Sequence, residues 1–151
     1  MAEKIDLNTL PKGLTKEEFT ALPNFKKIRS FFTWAGVVSI GSGILICSEI
    51  GKTAESVFQA GGSYDDMSRL WAVKLNMLFM IFDIVMGILL IKKKTTKMAY
   101  ILAITELVYI VLVLVLGGTI GIGAIAFLLA LAGAIRIDKK WKQYQEISGG
   151  S

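Results

Sequence analysis

Four long apolar runs dominate this chain of 151 residues and restrict the folds open to it. They cover Phe31 to Ile50, Leu70 to Ile91, Met98 to Leu116 and Thr119 to Ile137. Each has about the twenty residues that a helix rising ~1.5 Å per residue needs to cross ~30 Å of hydrocarbon. Because 54% of the residues are hydrophobic, little sequence remains for a second, soluble domain. The sequence predicts a single-domain, all-α integral membrane protein with four spans.

The Lys and Arg residues are unevenly distributed around these runs. Fourteen of the seventeen lie before the first run, between the second and third, or at and beyond the end of the fourth; the other three are Lys52, Arg69 and Lys74. Basic residues concentrate on the cytoplasmic side of membrane proteins, so both termini are predicted to be cytoplasmic. The net charge of +5 then indicates attraction to an anionic inner leaflet rather than nucleic-acid binding.

Short connections favour an up-down four-helix bundle. Lys92 to Lys97 join the second and third runs, and little more than Gly117 and Gly118 joins the third and fourth, so consecutive runs are expected to be antiparallel neighbours. The chain then divides into a cytoplasmic segment 1–30, a bundle 31–137 and a cytoplasmic tail 138–151. The last three residues, 149–151, resemble a linker scar.

The N-terminal segment carries signals for a short helix. Thr15 and Glu18 match a capping box, and Pro23 is expected to stop a helix that covers Lys16 to Leu22. This helix is predicted to lie on the lipid headgroups as an ordered entry to the first span, with a partner contact as the alternative.

The residue types exclude several kinds of chemistry. The chain has no His and one Cys, Cys47, which excludes internal disulfides, Cys/His zinc sites and His-ligated haem. It has no nucleophile elbow, phosphate-binding glycine loop or metalloprotease motif. We therefore expect no enzymatic activity, no metal and no cofactor.

Small residues form stripes on two of the predicted spans. The first span carries Gly36, Ser39 and Gly43, and the fourth carries Ala126, Ala130 and Ala134. In lipid, helices associate closely along such stripes. These two spans are predicted to be interior helices or contacts between protomers.

Asp83 and Glu106 are acidic residues within predicted membrane spans, where a charged side chain is energetically costly. Each is nine residues from the basic turn between the second and third spans, so both are predicted near the middle of the bilayer, possible neighbours of each other. At least one should be protonated at neutral pH, because two buried carboxylates cannot both ionise cheaply. One interpretation is a proton or cation relay, with Asn76 and Tyr109 supplying hydrogen bonds. The slightly favoured alternative is hydrogen-bonded carboxyls that hold the helices together, and a third is pairing with a basic residue of a partner.

The outer connection, residues 52 to 69, is expected to form one short helix and a turn, with Ser63, Asp65 and Asp66 available to cap the second span. Glu49 and Lys74 form a possible interfacial ion pair near this boundary. Extension of Lys74 alone to the headgroups explains its position equally well.

Two stretches resemble the MARVEL-domain proteins of the MAL-like and chemokine-like-factor branches. They are Ala-Leu-Pro-Asn-Phe-Lys-Lys-Ile at residues 21–28 and Ile-Cys-Ser-Glu at residues 46–49, and the four-span topology is similar too. The resemblance implies a non-enzymatic role in membrane organisation, vesicle traffic or partner delivery. The short glycine connection before the fourth span and the pair Asp83 and Glu106 depart from that family.

Two functions follow as hypotheses. The preferred one is a membrane protein that acts in organisation, trafficking or assembly, binding a second copy or another membrane protein through its small-residue faces. The alternative is a small proton- or cation-coupled transporter or channel subunit that uses Asp83 and Glu106. A polar cavity reaching both carboxyls would favour the alternative, and a dry interior with both carboxyls hydrogen-bonded would favour the first.

Overall fold

A computed structural model describes residues 6–149, and within this range the chain is all-helical. Single 3-10 turns cover Leu7–Thr9 and Pro23–Phe25. The helices are α1 (Lys16–Ala21), α2 (Lys26–Gln59), α3 (Tyr64–Arg69), α4 (Trp71–Lys93), α5 (Thr96–Val115) and α6 (Gly123–Gly149). The most extensive contacts join α2 to α4, α5 to α6 and α2 to α6, while α4 and α5 touch each other less. Residues 150 and 151 of the proposed linker scar lie outside the described range.

Three helices, α2, α4 and α5, are long and apolar enough to cross a membrane, which supports a membrane protein. The fourth predicted span differs from them. Its helix begins at Gly123 rather than Thr119, so only thirteen residues, about 20 Å of helix, precede Arg136. The predicted two-glycine connection is therefore wrong, because residues 116–122 are all outside the helices.

The connection between α4 and α5 is short, as predicted. Lys94 ends α4 in the left-handed conformation, with φ 48° and ψ 39°, and its N–H donates to the Leu90 carbonyl at 2.9 Å. Thr95 then caps α5 by accepting from the Met98 N–H at 3.4 Å. A two-residue reversal thus brings the last lysines of α4 and the first turn of α5 together. We call this end of the molecule the basic end.

At the opposite end, α2 continues eight residues past the predicted start of the outer connection. Hydrogen bonds one turn apart support this extension, including Lys52 to Glu49 at 2.6 Å and Gln59 to Glu55 at 3.1 Å. Ser63 and Asp66 form a capping box, but they cap the short helix α3 and not the second span. The predicted short helix and turn are present within a more helical connection.

The N-terminal segment packs against the last turns of α6. The predicted capping box of Thr15 and Glu18 forms, and α1 ends one residue earlier than expected. Phe19 is fully buried, with its ring centroid 5.2 Å from those of both Trp141 and Tyr144. The C-terminal tail is accordingly helical, and its Trp141 and Tyr144 pack with the core.

Hydrogen bonds and one ion pair secure this contact. Tyr144 Oη donates to the Pro11 carbonyl at 2.7 Å and accepts from the Leu14 N–H at 3.1 Å. Lys16 Nζ lies 2.6 Å from Asp138 Oδ1, and Tyr100 Oη donates to Asp138 Oδ2 at 2.8 Å. These bonds join the segment before α1 to α6 and α6 to α5.

Candidate functional site

Close contact between α2 and α4 fixes the first half of the site. A methyl group added to Gly36 would lie 2.6 Å from the Gly87 carbonyl oxygen, and one added to Gly87 would lie 2.7 Å from the Gly36 carbonyl oxygen. A methyl group on Gly43 would lie 3.0 Å from the Met80 carbonyl oxygen. The two backbones therefore touch along the small-residue stripe of α2. This stripe packs against α4 of the same chain.

Ser39 holds α4 at the level of Asp83. Its hydroxyl is fully buried and donates to the backbone carbonyl of Asp83 at 2.9 Å. Asp83 is 1% exposed, and its carboxyl group lies beside the Ser42 hydroxyl of α2 without a hydrogen bond of ordinary length to it. Ser39 thus positions the backbone of Asp83, and Ser42 is the hydroxyl beside its carboxyl group.

Glu106 lies beside the first residue of α6. A methyl group added to Gly123 would clash with Glu106 Oε2 and would lie 3.2 Å from Ser42 Oγ. Ser42 is on α2, three residues after Ser39, and its hydroxyl lies near the Asp83 carboxyl as well as near the start of α6. Only a glycine leaves room for this contact between α5 and the start of α6.

The Glu106 carboxyl is buried too, and it forms no hydrogen bond with the described residues. Its residue is 1% exposed, and neither oxygen has a hydrogen-bond partner within residues 6–149. A buried polar group without a partner costs about 1–3 kcal/mol, and more if it is charged. The role of hydrogen-bonded glue stays a prediction: the Ser42 hydroxyl of the neighbouring helix lies beside the Asp83 carboxyl, whereas Glu106 has no partner within residues 6–149.

A cavity of about 260 Å³ reaches Glu106 from the end opposite the basic end. Ser42, Tyr109 and Glu49 line it, together with residues 119–124 from the α5–α6 connection and the start of α6. Asp83 is not among its lining residues. The cavity therefore gives Glu106, but not Asp83, a path toward the end of the molecule opposite the basic end.

The connection that lines this cavity is irregular. The N–H groups of residues 119–122, and that of Gly123 at the start of α6, have no hydrogen-bond acceptor in the described part of the chain. Glu106 lies nine residues before the end of α5, which is about 13 Å along that helix, yet its side chain contacts Gly123. The connection therefore runs back alongside α5 by about that distance. In membrane proteins, irregular backbone at depth is found where it is buried in protein or lines a cavity.

Asn76 and Tyr109 form a separate pair. Tyr109 Oη donates to Asn76 Oδ1 at 3.2 Å, and the Tyr109 ring lies 4.6 Å from that of Phe79. This bond connects α4 and α5 on the side away from the basic end. The four residues predicted as one polar site are thus arranged as a hydrogen-bonded pair, Asn76 and Tyr109, and two buried acidic residues, Asp83 and Glu106.

The predicted ion pair between Glu49 and Lys74 is not formed. Glu49 pairs with Lys52 at 2.6 Å, one turn along the same helix, and Lys74 lies 5.6 Å from the centre of the Trp71 ring. Lys74 is exposed, which agrees with the alternative of an extended lysine.

The alanines of α6 face the interior. Ala126, Ala130 and Ala134 are all fully buried, and Gly133 of the same helix touches Phe32 of α2. Close packing of α6 against the rest of the chain uses this face, so the alanine stripe is not open to a partner.

Ser42, Gly123 and the connection before α6 are the site features that sequence reasoning missed. Four glycines at positions 117, 118, 121 and 123 interrupt that part of the sequence. Because glycine weakens helices by about 1 kcal/mol each, this cluster is the signal that would have predicted a break.

The arrangement suits proton exchange better than metal binding. No group of three or more His, Cys, Asp or Glu side chains that could hold a metal ion occurs within the described range. A single buried carboxyl, with a hydroxyl and the first turn of a helix beside it, can bind and release a proton without a larger ligand set.

Comparisons with known proteins gave no match: no protein-family model, no curated protein and no solved structure is similar to this chain.

Proposed function

We propose that this chain is a multi-pass membrane protein with both termini in the cytoplasm. The three apolar helices α2, α4 and α5 cross the bilayer, and the irregular connection followed by α6 completes a fourth crossing. The distribution of basic residues supports the orientation, since the α4–α5 turn and the end of α6 are lysine-rich and lie at the same end. The four long helices then form a membrane-embedded bundle.

Within this arrangement, the protein acts as a small, non-enzymatic transporter or ion-coupling subunit that takes a proton onto Glu106. The observation that supports this function is the burial of an unbonded Glu106 carboxyl at the base of a cavity of about 260 Å³. A buried carboxyl is costly in a membrane unless it has a partner or a function. Access from one side allows proton exchange without a continuous pore.

Two opposing influences act on Glu106 and make exchange plausible chemically. Removal from water and the neighbouring acidic residue Asp83 both disfavour the carboxylate, whereas the N-terminus of α6 at Gly123 carries partial positive charge and favours it. Asp83 is deeper with respect to the cavity and has no route of its own. It therefore serves as the neighbouring acidic group and not as the point of entry.

Proton exchange is tested by infrared difference spectroscopy on the full chain reconstituted in vesicles. Changing the external pH on the cavity side should change the protonated-carboxyl signal, and Glu106→Gln should remove that change. Glu49→Gln is the matched control, because Glu49 lines the same cavity but is exposed and paired with Lys52. A signal that persists in folded Glu106→Gln protein would overturn the proposal.

A role in membrane organisation is the second candidate, and one observation favours it. An almost wholly apolar cleft of about 220 Å³ separates parts of α4 and α5, lined by residues that include Leu78, Phe82 and Val108. A partner helix in the bilayer could insert its side chains there. This function would agree with the MARVEL-like stretches at residues 21–28 and 46–49.

A photo-crosslinking residue at Leu78 tests this second function in native membranes. A defined crosslinked species, either a dimer or a complex with one protein, is expected from Leu78 and not from Ile135. Ile135 is similarly exposed but lies on α6, away from the cleft. Equal labelling from both positions would indicate chance collisions in the membrane and would contradict this function.

A further inference from the structure

A second cavity, of about 320 Å³, lies at the basic end between α1, the first turn of α2 and the α4–α5 turn. Five basic residues line it, against one acidic residue, Glu17; the five are Lys16, Arg29, Lys93, Lys94 and Lys97. We call it the basic cavity. A concave site with this charge attracts an anion from solution or from a membrane surface.

Most of these cations have no counter-ion. Lys93, Lys94 and Lys97 form no ion pair within the part of the chain that the structure describes. Arg29 donates through Nη2 to the Leu22 carbonyl at 3.4 Å, but its Nε is buried and has no partner in that range. Of the five, Lys16 alone pairs with an acidic side chain among residues 6–149, that of Asp138. The cavity therefore has excess positive charge and a free arginine donor.

The backbone adds to this charge. The left-handed conformation of Lys94 is uncommon for a residue other than glycine, and it places the start of α5 directly after the lysines of α4. Thr96 and Lys97, the first residues of α5, line the cavity. The free N–H groups of a helix's first turn favour phosphate and similar anions.

The position of the cavity favours a lipid over a soluble anion. Ile81, Val85 and Ile88 form an exposed apolar stripe on α4 whose helical spacing continues to Lys92, next to the lysines that line the cavity. A lipid could place its acyl chains along this stripe and its phosphate at the turn. Basic sites between helices at a membrane boundary suit anionic headgroups.

We propose that the basic cavity binds the phosphate group of an anionic lipid headgroup, with Arg29, Lys93 and Lys97 as its principal contacts. This inference concerns the end of the molecule opposite the Glu106 cavity. It does not depend on proton exchange.

Binding is tested with the full chain in nanodiscs of phosphatidylcholine, titrated with short-chain phosphatidic acid and followed by thermal melting and native mass spectrometry. The melting temperature should rise, and Lys93→Gln combined with Lys97→Gln should weaken binding about tenfold or more, since each juxtamembrane lysine contributes measurably to anionic-lipid binding. Lys139→Gln combined with Lys142→Gln removes the same charge from exposed positions that do not line the cavity, and it should retain binding.

Three outcomes would overturn the proposal. Equal loss of binding in both double variants would indicate general electrostatic attraction. A rise in melting temperature with inorganic phosphate equal to that with phosphatidic acid would identify a free anion as the ligand. No response of the wild-type protein to phosphatidic acid would remove the site altogether.

Discussion

Gly123 and Glu106 are in van der Waals contact across the α5–α6 interface, with no space for a methyl group between them. A Cβ at position 123 would lie 3.1 Å from the Glu106 carboxyl carbon as well as overlapping Oε2. The first residue of one helix thereby defines where the buried carboxyl of another can be.

We predict that Gly123→Ala displaces Glu106 and lowers the free energy of unfolding by about 1–3 kcal/mol, the usual cost of overpacking. Combining it with Glu106→Asp should recover part of this loss, because the shorter side chain withdraws from the added methyl group. Thermal melting of the two single variants and the double variant measures the coupling. Gly121→Ala is the control, since a methyl group there meets nothing within 4 Å. Strictly additive effects would mean that the two residues do not touch.

Contact between α2 and α4 gives a second prediction. Gly87→Ala should lower the melting temperature, because its methyl group would lie 2.7 Å from a backbone oxygen of α2 and the helices would have to separate. Gly51→Ala places a methyl group in open space within α2. It should leave the melting temperature unchanged or raise it, because alanine stabilises a helix by up to about 1 kcal/mol relative to glycine. Melting temperatures in the reverse order would contradict the packing.

Removal of one hydroxyl should loosen the N-terminal segment. Tyr144→Phe deprives the Pro11 carbonyl and the Leu14 N–H of their partner, at a cost of about 1–3 kcal/mol. Hydrogen exchange and limited proteolysis should show greater opening of residues 7–25 while α4 and α5 stay protected. Tyr64→Phe serves as the control, because Tyr64 is 68% exposed. Unchanged proteolysis of Tyr144→Phe would show that the aromatic contacts alone hold the segment.

Acid should release the same segment through Glu18. Hydrogen bonds from the Thr15 backbone and hydroxyl lower the pKa of Glu18 below its ordinary value of 4.5. A carboxyl with a depressed folded-state pKa stabilises the fold above its unfolded value, and this stabilisation is lost as the pH falls through the folded pKa. We expect release to begin below pH 4.5.

Trp141 fluorescence can report this release, because its ring packs on Phe19. Replacing Trp34 and Trp71 by Phe removes the other two tryptophans. The acid transition should be weaker in Glu18→Gln than in the Glu18 protein, since glutamine does not titrate. Identical transitions would assign the pH dependence to another group.

Topology is open to direct labelling. After Cys47→Ser removes the exposed native thiol, a cysteine in place of Gly62 should react with an impermeant reagent added outside intact cells, and one in place of Thr95 should react only after lysis. The expectation follows from the lysine-rich α4–α5 turn. The reverse labelling pattern would place the basic end outside.

Local sequence signals predicted several elements well, because they depend on neighbouring residues. The capping box of Thr15 and Glu18 and the short turn after Lys93 are examples. Hydropathy could not separate Thr119 to Ile122 from the helix that follows, because irregular segments that pass through apolar surroundings can be as hydrophobic as spans. The glycine cluster was the better indicator there.

The candidate site was predictable only in part. Asp83 and Glu106 were identifiable because charges in apolar runs are costly, but their surroundings depend on how the helices rotate about their axes. Glu49 pairs with Lys52 and not with Lys74, because a partner one turn away on the same helix requires no alignment between two helices. Contact between Glu106 and Gly123 depends on the path of the connection before α6; the glycine cluster predicts a break in the helix there but does not specify that path.

The bond between Tyr144 and Pro11 joins residues 133 positions apart, and this separation has a consequence for biogenesis. Residues 7–25 leave the ribosome long before α6 is made, so Phe19 has no contact with Trp141 and Tyr144 until the last helix has been synthesised. Membrane insertion can begin early, but the final docking of the N-terminal segment follows synthesis of the last helix. A ribosome-stalled chain that ends near residue 137 would therefore present an unpaired aromatic cluster, which is a surface of the kind that chaperones bind.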